Sequence, residues 1–114
     1  MTVAPAAATV RYTRAGGIGR LVLDRPPVNV LDIATLDAMN AALAEAAADR
    51  GLRVLALSGA GRAFCAGVDV ADHTADRVAR MLHLFHGAVR RLMAFEAPVV
   101  GLVHGAALGG GCEL

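Results

Sequence analysis

The sequence predicts an α/β fold in which short strands alternate with helices. Two observations indicate it. Continuous apolar runs bounded by glycine or proline are typical of strands buried on both faces, and the longer segments between them carry apolar residues at helical spacing. Along the 114 residues the order is strand, helix, strand, helix, strand, helix, an alternation typical of parallel sheets with crossover helices.

The first elements are a hairpin and a helix. "ATVRYT" and "IGRLVLDR" are two β-like runs joined by "RAGG", whose glycines can supply the positive φ of a tight turn. "RPPVN" at 25–29 follows as a loop, because its two prolines lack amide donors. Apolar residues at helical spacing then predict a helix over 33–50, with Asp32 as its N-cap and Gly51 just beyond its end.

The second half repeats the alternation. "LRVLALSG" at 52–59 predicts a buried strand, and a Gly/Ala loop follows it. A second helix is expected to begin at a Thr74 cap and to end near Glu96. Its predicted apolar face consists of Val78, Met81, Leu82, Phe85, Val89 and Leu92. "PVVGLVHG" predicts another buried strand, and "AALGGGCEL" predicts a turn that runs into a helix near Gly110.

Composition excludes several classes of protein. The sequence is 56% hydrophobic and 18% charged, which excludes a disordered chain. Net charge is +1 with basic and acidic residues interspersed, so neither nucleic acid nor a membrane surface is a predicted partner. No apolar run approaches the roughly 18 residues of a membrane span. The start lacks a secretory signal, and Cys65 and Cys112 form no CxxC, so we expect a cytoplasmic protein with reduced thiols.

Two loops carry the residues most suggestive of chemistry. "FCAGVD" at 64–69 and "ALGGGCE" at 107–113 each follow a predicted buried strand, where ligands of parallel sheets bind. Bare glycines and outward-pointing amides at a helix start predict an oxyanion site. Glu113 follows Gly110 by three residues and shares its helix face. Glycine and an acid are also common at helix starts for capping alone, so the pattern by itself leaves both interpretations open.

Other candidate residues have a structural alternative. His83 and His86 lie at i, i+3 on the second helix with His73 before it, which raises a metal site; a solvated helix face is the alternative. Cys65 is either a nucleophile or a small buried side chain. His104 is expected to be a structural donor beside the glycine loop. Fingerprints of phosphate or dinucleotide binding are missing, so a dinucleotide-binding oxidoreductase rests on the alternation only.

Taken together, three segments resemble the enoyl-CoA hydratase/isomerase, or crotonase, family in order and spacing: "LDRPPVNVLD", "LSGAGRAFCAGVDV" and "APVVGLVHGAALGGGCEL". The resemblance begins at about Val10, so residues 10–114 are expected to form the N-terminal part of a crotonase-like domain and residues 1–9 a flexible leader. It implies a crotonase-like spiral of ββα units, truncated after the oxyanion-hole helix begins. Within the family, "AFCAGVDVADH" together with "HGAALGGGCEL" looks most like cyclohexa-1,5-dienecarbonyl-CoA hydratases.

The resemblance also implies roles for single residues. The backbone amides of Val68 and Gly110 would donate hydrogen bonds to the carbonyl of an acyl-CoA thioester. Glu113 matches the first of two glutamates that activate and orient water. The implied CoA-thioester contacts are Arg25, Ala66, Gly67, Asp69 and Gly109, with Arg25 skirting the CoA phosphates. No metal and no separate cofactor are implied, because coenzyme A is part of the substrate. In family members the second glutamate and the helices of the acyl pocket and trimer come after the segment that matches residue 114.

The expected function is that of an acyl-CoA hydratase, a lyase that adds water to a conjugated enoyl- or dienoyl-CoA, with a homo-trimer or hexamer when full length. An enoyl-CoA isomerase or thioester hydrolase of the same fold is one alternative. A non-catalytic fragment or partner-binding module is another, since the isolated 114 residues lack the second glutamate and are expected to be inactive alone.

Overall fold

The computed structural model describes residues 8–114 and contains one four-stranded sheet with two long helices. The strands are β1 (Val10–Ala15), β2 (Ile18–Leu23), β3 (Val54–Gly59) and β4 (Val99–Leu102). The helices are α1 (Ile33–Ala48), α2 (Val78–Met93) and the single turn α3 (Gly110–Glu113). The strands lie side by side in chain order; β1 and β2 are antiparallel, whereas β3 runs parallel to both β2 and β4. The α/β prediction is confirmed. Most of the predicted leader, residues 1–7, lies outside the described residues.

The predicted hairpin is confirmed. Val10 pairs with Leu23 and Ala15 with Ile18, and Gly16 has a φ of 60° at the turn. This left-handed conformation favours glycine. Leu21 and Leu23 of β2 are 0% and 1% exposed, so alternate side chains of the strand enter the core.

Helix α1 begins as predicted and ends earlier. The Asp32 side chain accepts a hydrogen bond from the Thr35 amide at 2.8 Å, which confirms the N-cap. The predictions of an end at residue 50 and of Gly51 as the stop are wrong, because the helix ends at Ala48 with Asp49 as its C-cap. The Asp49 carboxylate binds Tyr12 on β1, and its extended backbone takes the chain out of the helix.

Helix α2 packs against α1 with a face that differs from the predicted one. Its buried residues are Met81, Leu84, Phe85 and Ala88, a helical i, i+3, i+4, i+7 stripe. Leu82 is 41% exposed, so its predicted place in the core is wrong: it lies one residue off that stripe.

The ends of α2 also differ from the prediction. The N-cap is Arg77, which makes no side-chain cap. Thr74 instead binds Asp76, and its carbonyl accepts from Arg77 and Val78, which forms a turn before the helix. The helix ends at Met93, short of the predicted end near Glu96.

Strands β3 and β4 differ in burial. Leu55 and Leu57 of β3 are 0% and 2% exposed on one face, and Ala56 on the opposite face is 8% exposed, which confirms a strand buried on both faces. The same prediction for β4 is wrong, since all four of its residues are exposed. The reason is its position. β4 is one of the two edge strands, and helix α1 packs on β1 and β2, which are at the opposite edge of the sheet. Within residues 8–114, no helix has the length and apolarity needed to cross a bilayer.

Candidate active site

Two neighbouring loops meet at the carboxyl edge of the sheet. We call residues 60–72, after β3, the first loop, and residues 103–114, after β4 and including the single turn α3, the second loop. The Cys65 amide donates to the Ala106 carbonyl at 3.1 Å, and the Leu108 amide donates to the Cys65 carbonyl at 3.0 Å. These parallel, strand-like bonds hold the two loops together, as the sequence predicts for loops that follow adjacent parallel strands.

Asn29 anchors the first loop to the "RPPVN" segment. Its carboxamide nitrogen donates to the carbonyls of Ala60, Ala63 and Phe64 at 3.0, 2.9 and 3.2 Å. Its side-chain oxygen accepts from the Arg25 amide at 2.8 Å. Asn29 is 2% exposed with a φ of 58°. Sequence reasoning missed this residue, although asparagine is one of the few residue types that tolerate a positive φ and is common in turns.

The Val68 amide points away from the segment that supports it. The Leu31 amide donates to the Gly67 carbonyl at 2.8 Å, and the Asp69 amide donates to the Leu31 carbonyl at 2.9 Å. In a trans peptide the C=O and the N–H point in opposite directions. The Val68 N–H, which shares its peptide group with the Gly67 C=O, therefore points away from Leu31. It has no hydrogen-bond acceptor among residues 8–114.

The second loop places Gly110, whose backbone amide is the other proposed donor, in contact with Val68. Gly110 begins α3, and the next two amides donate to the carbonyls of Leu108 and Gly109. The Gly110 amide itself has no acceptor in the described part of the chain. A Cβ built on Gly110 would be 2.9 Å from Val68 Cγ2. The two residues are thus in contact, with the N–H groups of both left for a ligand.

A cleft of about 330 Å³ gathers most of the predicted site residues. Those that line it are Ala66, Gly67, Val68, Gly109, Gly110 and Glu113. The structure therefore brings the two free amides and one exposed carboxylate to a single cavity, as the glycine and acid pattern predicts. Two N–H groups without acceptors beside an acid can stabilise a developing oxyanion and move a proton.

Arg25 and Asp69 do not line the cleft. The Arg25 guanidinium lies between two carboxylates, 3.7 Å from Asp69 Oδ2 and 3.5 Å from Asp32 Oδ2. The other oxygen of Asp69 accepts from the Ala71 amide at 3.0 Å and caps the short 3₁₀ turn Val70–Asp72. Burial raises the pKa of Asp32, but hydrogen bonds from Thr35 and the charge of Arg25 outweigh it and hold that pKa below its ordinary value.

Helix α2 supplies a wall of the cleft that sequence reasoning missed. Met81, Leu82 and Phe85 form an apolar surface opposite the two amides, and His73 and His86 add polar groups. Leu82 is the clearest case: it lies beside the buried stripe of the helix, where an apolar side chain can line a cavity. The sequence pattern alone does not distinguish such a residue from a core residue. Within residues 8–114, no cluster of three His, Cys, Asp or Glu side chains is close enough to hold a metal ion.

The structure favours the structural alternative for Cys65 and confirms the prediction for His104. Cys65 is buried, and burial raises the pKa of its thiol, which fits a packed side chain rather than a nucleophile. The His104 ring contacts the Gly61 carbonyl at 2.5 Å. Since a carbonyl can only accept, His104 Nε2 donates, and it joins the end of β4 to the first loop.

A family model described as enoyl-CoA hydratase/isomerase matches residues 13–114. The chain belongs to the enoyl-CoA hydratase/isomerase family. A cyclohexa-1,5-dienecarbonyl-CoA hydratase from Thauera aromatica is 36% identical over 114 residues, which is 100% of this chain and 44% of that protein. A probable enoyl-CoA hydratase from Bacillus subtilis is 32% identical over 82% of the chain and 38% of its own length. The resemblance predicted from the three segments is confirmed.

Solved structures of family members share the fold. An enoyl-CoA hydratase/isomerase from Xanthobacter autotrophicus superposes with a TM-score of 0.83 at 31% identity, covering 92% of this chain and 42% of that one. An enoyl-CoA hydratase from Bacillus anthracis gives 0.84 at 27% identity, covering 92% and 43%. The crotonase-like fold prediction is confirmed. The chain spans less than half the length of the enoyl-CoA hydratase/isomerase family members it matches.

Proposed function

We propose that the protein is an acyl-CoA hydratase that adds water to a conjugated enoyl- or dienoyl-CoA thioester. The observation that carries the proposal is the convergence of the Val68 amide, the Gly110 amide and the Glu113 side chain on one cleft. Conjugate addition needs two things of a protein, a stabilised enolate oxygen and a proton carrier. The cleft offers both.

The proposed reaction balances without a redox partner. The oxygen of water forms a bond to C3 while the C2=C3 electron pair moves toward the thioester oxygen, where the Val68 and Gly110 amides donate. The proton released from water passes to Glu113, and a proton returns to C2 as the C=O re-forms. One oxyanion donor contributes about 10²–10³-fold in rate, and general acid–base catalysis about 10²–10⁴-fold.

The acyl group would lie against the apolar wall of α2, where Met81, Leu82 and Phe85 contact the cleft. The name of the Thauera aromatica relative suggests a cyclic dienoyl thioester, such as cyclohexa-1,5-diene-1-carbonyl-CoA, and hence a role in aromatic degradation. Ala66, Gly67 and Gly109 would flank the thioester, where the lack of bulky side chains lets it approach the backbone. Arg25 and Asp69, for which the resemblance implies CoA contacts, lie outside the lining of this cleft. No cofactor is needed, because CoA belongs to the substrate.

The test offers the protein a linear enoyl-CoA and the cyclic dienoyl-CoA and identifies the products by mass spectrometry. A product heavier by one water supports the hydratase. A shifted double bond at unchanged mass would assign the isomerase alternative, and release of free CoA with a carboxylic acid the hydrolase. If neither thioester is changed by the assembled protein, the non-catalytic alternative replaces the proposal.

Glu113→Gln tests the acid, with Glu96→Gln as its matched control. Both substitutions remove one exposed carboxylate, but Glu96 belongs to a different cavity near the C-terminal end of α2. We expect Glu113→Gln to lower kcat by about 10²–10⁴-fold and Glu96→Gln to leave it unchanged. Equal rates in the wild type and Glu113→Gln would remove Glu113 from the mechanism.

We propose the cytoplasm as the location and a homo-trimer or hexamer as the assembly. The first is supported by the two cysteines, Cys65 and Cys112, which are both free thiols, and the second by the exposed apolar side chains of β4 and its continuation, Val100, Leu102 and Val103. Light scattering of the purified protein measures the assembly, and a monomeric mass would contradict it.

A further inference from the structure

Arg25 begins a chain of hydrogen bonds that ends at the Val68 amide. Its Nη1 donates to the Val30 carbonyl at 3.0 Å. The Val30 C=O shares a peptide group with the Leu31 N–H, which donates to the Gly67 carbonyl at 2.8 Å. The Gly67 C=O in turn shares a peptide group with the Val68 N–H. Two planar peptide groups therefore link the guanidinium to the amide that faces the cleft.

Arg25 is held both at its backbone and at its guanidinium. Its backbone amide donates to Asn29 Oδ1 at 2.8 Å, and its carbonyl accepts from the Asn29 amide at 2.9 Å. Its guanidinium pairs with Asp32, the N-cap of α1, and with Asp69, the residue directly after Val68. The side chain is 33% exposed, so this geometry is only partly open to solvent.

The charge around Arg25 is unfavourable for a phosphate. One guanidinium faces two carboxylates, which leaves the cluster with a net charge of −1 when Asp32 and Asp69 are ionised. A phosphate approaching Arg25 would meet both carboxylates, and one guanidinium nitrogen already donates to the Val30 carbonyl. The same charges favour a role within the protein, because a cation donating to a carbonyl polarises the hydrogen bonds that follow it.

We propose that Arg25 is a positioning residue for the Val68 oxyanion amide and not a ligand of the CoA phosphates. It orients the Val30–Leu31 peptide, which orients the Gly67–Val68 peptide, and its charge makes the Val68 N–H a stronger donor. The effect on catalysis rests on the proposed function, whereas the effect on the backbone of residues 66–72 does not.

The first test compares two thioesters of the same acyl group, one with CoA and one with pantetheine, which lacks the CoA phosphates. If Arg25 positions Val68, Arg25→Gln lowers kcat by about ten-fold with both thioesters and leaves the ratio of their KM values unchanged. Arg25→Lys, which keeps a charged donor but loses the planar fork, recovers part of kcat. A KM increase for the CoA thioester alone would overturn the proposal in favour of phosphate binding.

Arg11→Gln is the matched control. Arg11 pairs with Asp24, next to Arg25 in sequence, and does not contact either loop. We expect Arg11→Gln to keep the wild-type kcat with both thioesters. If it lowers kcat as much as Arg25→Gln, loss of any ion pair in this region explains the effect and the positioning role is wrong.

Hydrogen exchange tests the proposal independently of activity. The Asp69 amide, bonded to Leu31, should exchange several-fold faster in Arg25→Gln, while amides of the second loop keep their wild-type rates. Unchanged exchange over residues 66–72 would overturn the proposal even in an active hydratase. If the wild type hydrates no thioester but exchange changes as expected, the proposed function fails and the backbone role of Arg25 stands.

Discussion

The first and second loops each contribute one of the proposed oxyanion amides, yet they are held by different kinds of interaction. Side chains from other segments hold the first loop: Asn29 binds three of its carbonyls, and Arg25 pairs with Asp69. Asp72, 4% exposed, accepts from the Ile33 amide at 3.0 Å. The second loop is held mainly by backbone hydrogen bonds to the first and by glycines packed against it, with one side-chain bond, from His104 to the Gly61 carbonyl.

This difference predicts how each loop responds to substitution. Loss of a side chain from the first loop's anchors leaves buried polar groups without partners, so the cost is that of unmet hydrogen bonds. Addition of a side chain to the second loop forces backbone atoms apart, so the cost is steric. The second loop therefore has fewer ways to adjust, since its closest neighbours are backbone atoms of the first loop.

The largest effect is expected from Gly111→Ala. A Cβ at this position would lie 2.1 Å from the Cys65 carbonyl oxygen, which is backbone and cannot rotate away. We expect a loss of about 3 kcal/mol or more in the free energy of unfolding, measured by urea denaturation. Gly101→Ala on β4 is the control, because its Cβ meets nothing closer than 3.7 Å. A Gly111→Ala protein as stable as Gly101→Ala would disprove the steric account of the second loop.

Removal of the Asn29 side chain should come next. Asn29→Gly deletes four hydrogen bonds but tolerates the φ of 58°, and we expect it to cost about 3 kcal/mol in urea denaturation. Asn29→Ala adds the strain of a positive φ, about 1 kcal/mol more. If the glycine variant is as stable as the wild type, hydrogen bonds do not hold the first loop.

Sequence reasoning predicted the second loop better than the first. Gly109, Gly110 and Glu113 carry their information locally, since glycines and an acid at a helix start indicate outward amides whatever lies around them. The first loop depends on Asn29 and Arg25, whose partners in that loop are 31 to 44 residues away along the chain. No local pattern shows which carbonyls a distant carboxamide will meet.

The burial of the strands was also predicted correctly where it depends on local sequence and wrongly where it depends on distant segments. The apolar run of β3 predicted its burial, because neighbouring strands flank it on both sides. An equally apolar run gave a wrong prediction for β4, since burial of an edge strand depends on what covers it rather than on its own residues. The α2 wall of the cleft was missed because Leu82 is a lining residue that looks like a core residue.

A smaller stability effect with a larger effect on activity is expected from Gly110→Ala. Its Cβ would meet the tips of flexible side chains, Val68 Cγ2 at 2.9 Å and the Phe85 ring at 3.2 Å, so the neighbours can shift. We expect a loss of about 1 kcal/mol in unfolding free energy and about ten-fold in kcat/KM.

Val68→Ala removes the contact that Gly110→Ala would crowd. The double variant should therefore recover most of the stability lost by Gly110→Ala, a coupling that a double-mutant cycle measures. Additive losses would mean that the two loops do not touch through this pair and would weaken the comparison between them.

The smallest effect concerns a bond that touches neither loop. Tyr12 donates to Asp49 Oδ2 at 2.8 Å and connects β1 to the end of α1. β1 is the edge strand farthest from β4 in the sheet. Burial and this hydrogen bond raise the pKa of Tyr12 to about 12, against about 10 in an unfolded chain. Its contribution to stability is therefore complete below pH ~10 and is lost as pH rises toward ~12.

Few side chains other than Tyr12 titrate in this range, and the Cys65 thiol, whose pKa burial raises, is the same in the wild type and in Tyr12→Phe and cancels from their comparison. Tyr12 is the one tyrosine of the sequence, and all eleven basic side chains are arginines, so no lysine titrates in the same range. We expect the urea midpoint to fall from pH 10 to pH 12 in the wild type and to fall less in Tyr12→Phe, while kcat/KM at neutral pH is the same in both. A Tyr12→Phe variant with lowered kcat/KM would show that strain at this edge reaches the loops, and the two loops could then no longer be treated as held only by the contacts around them.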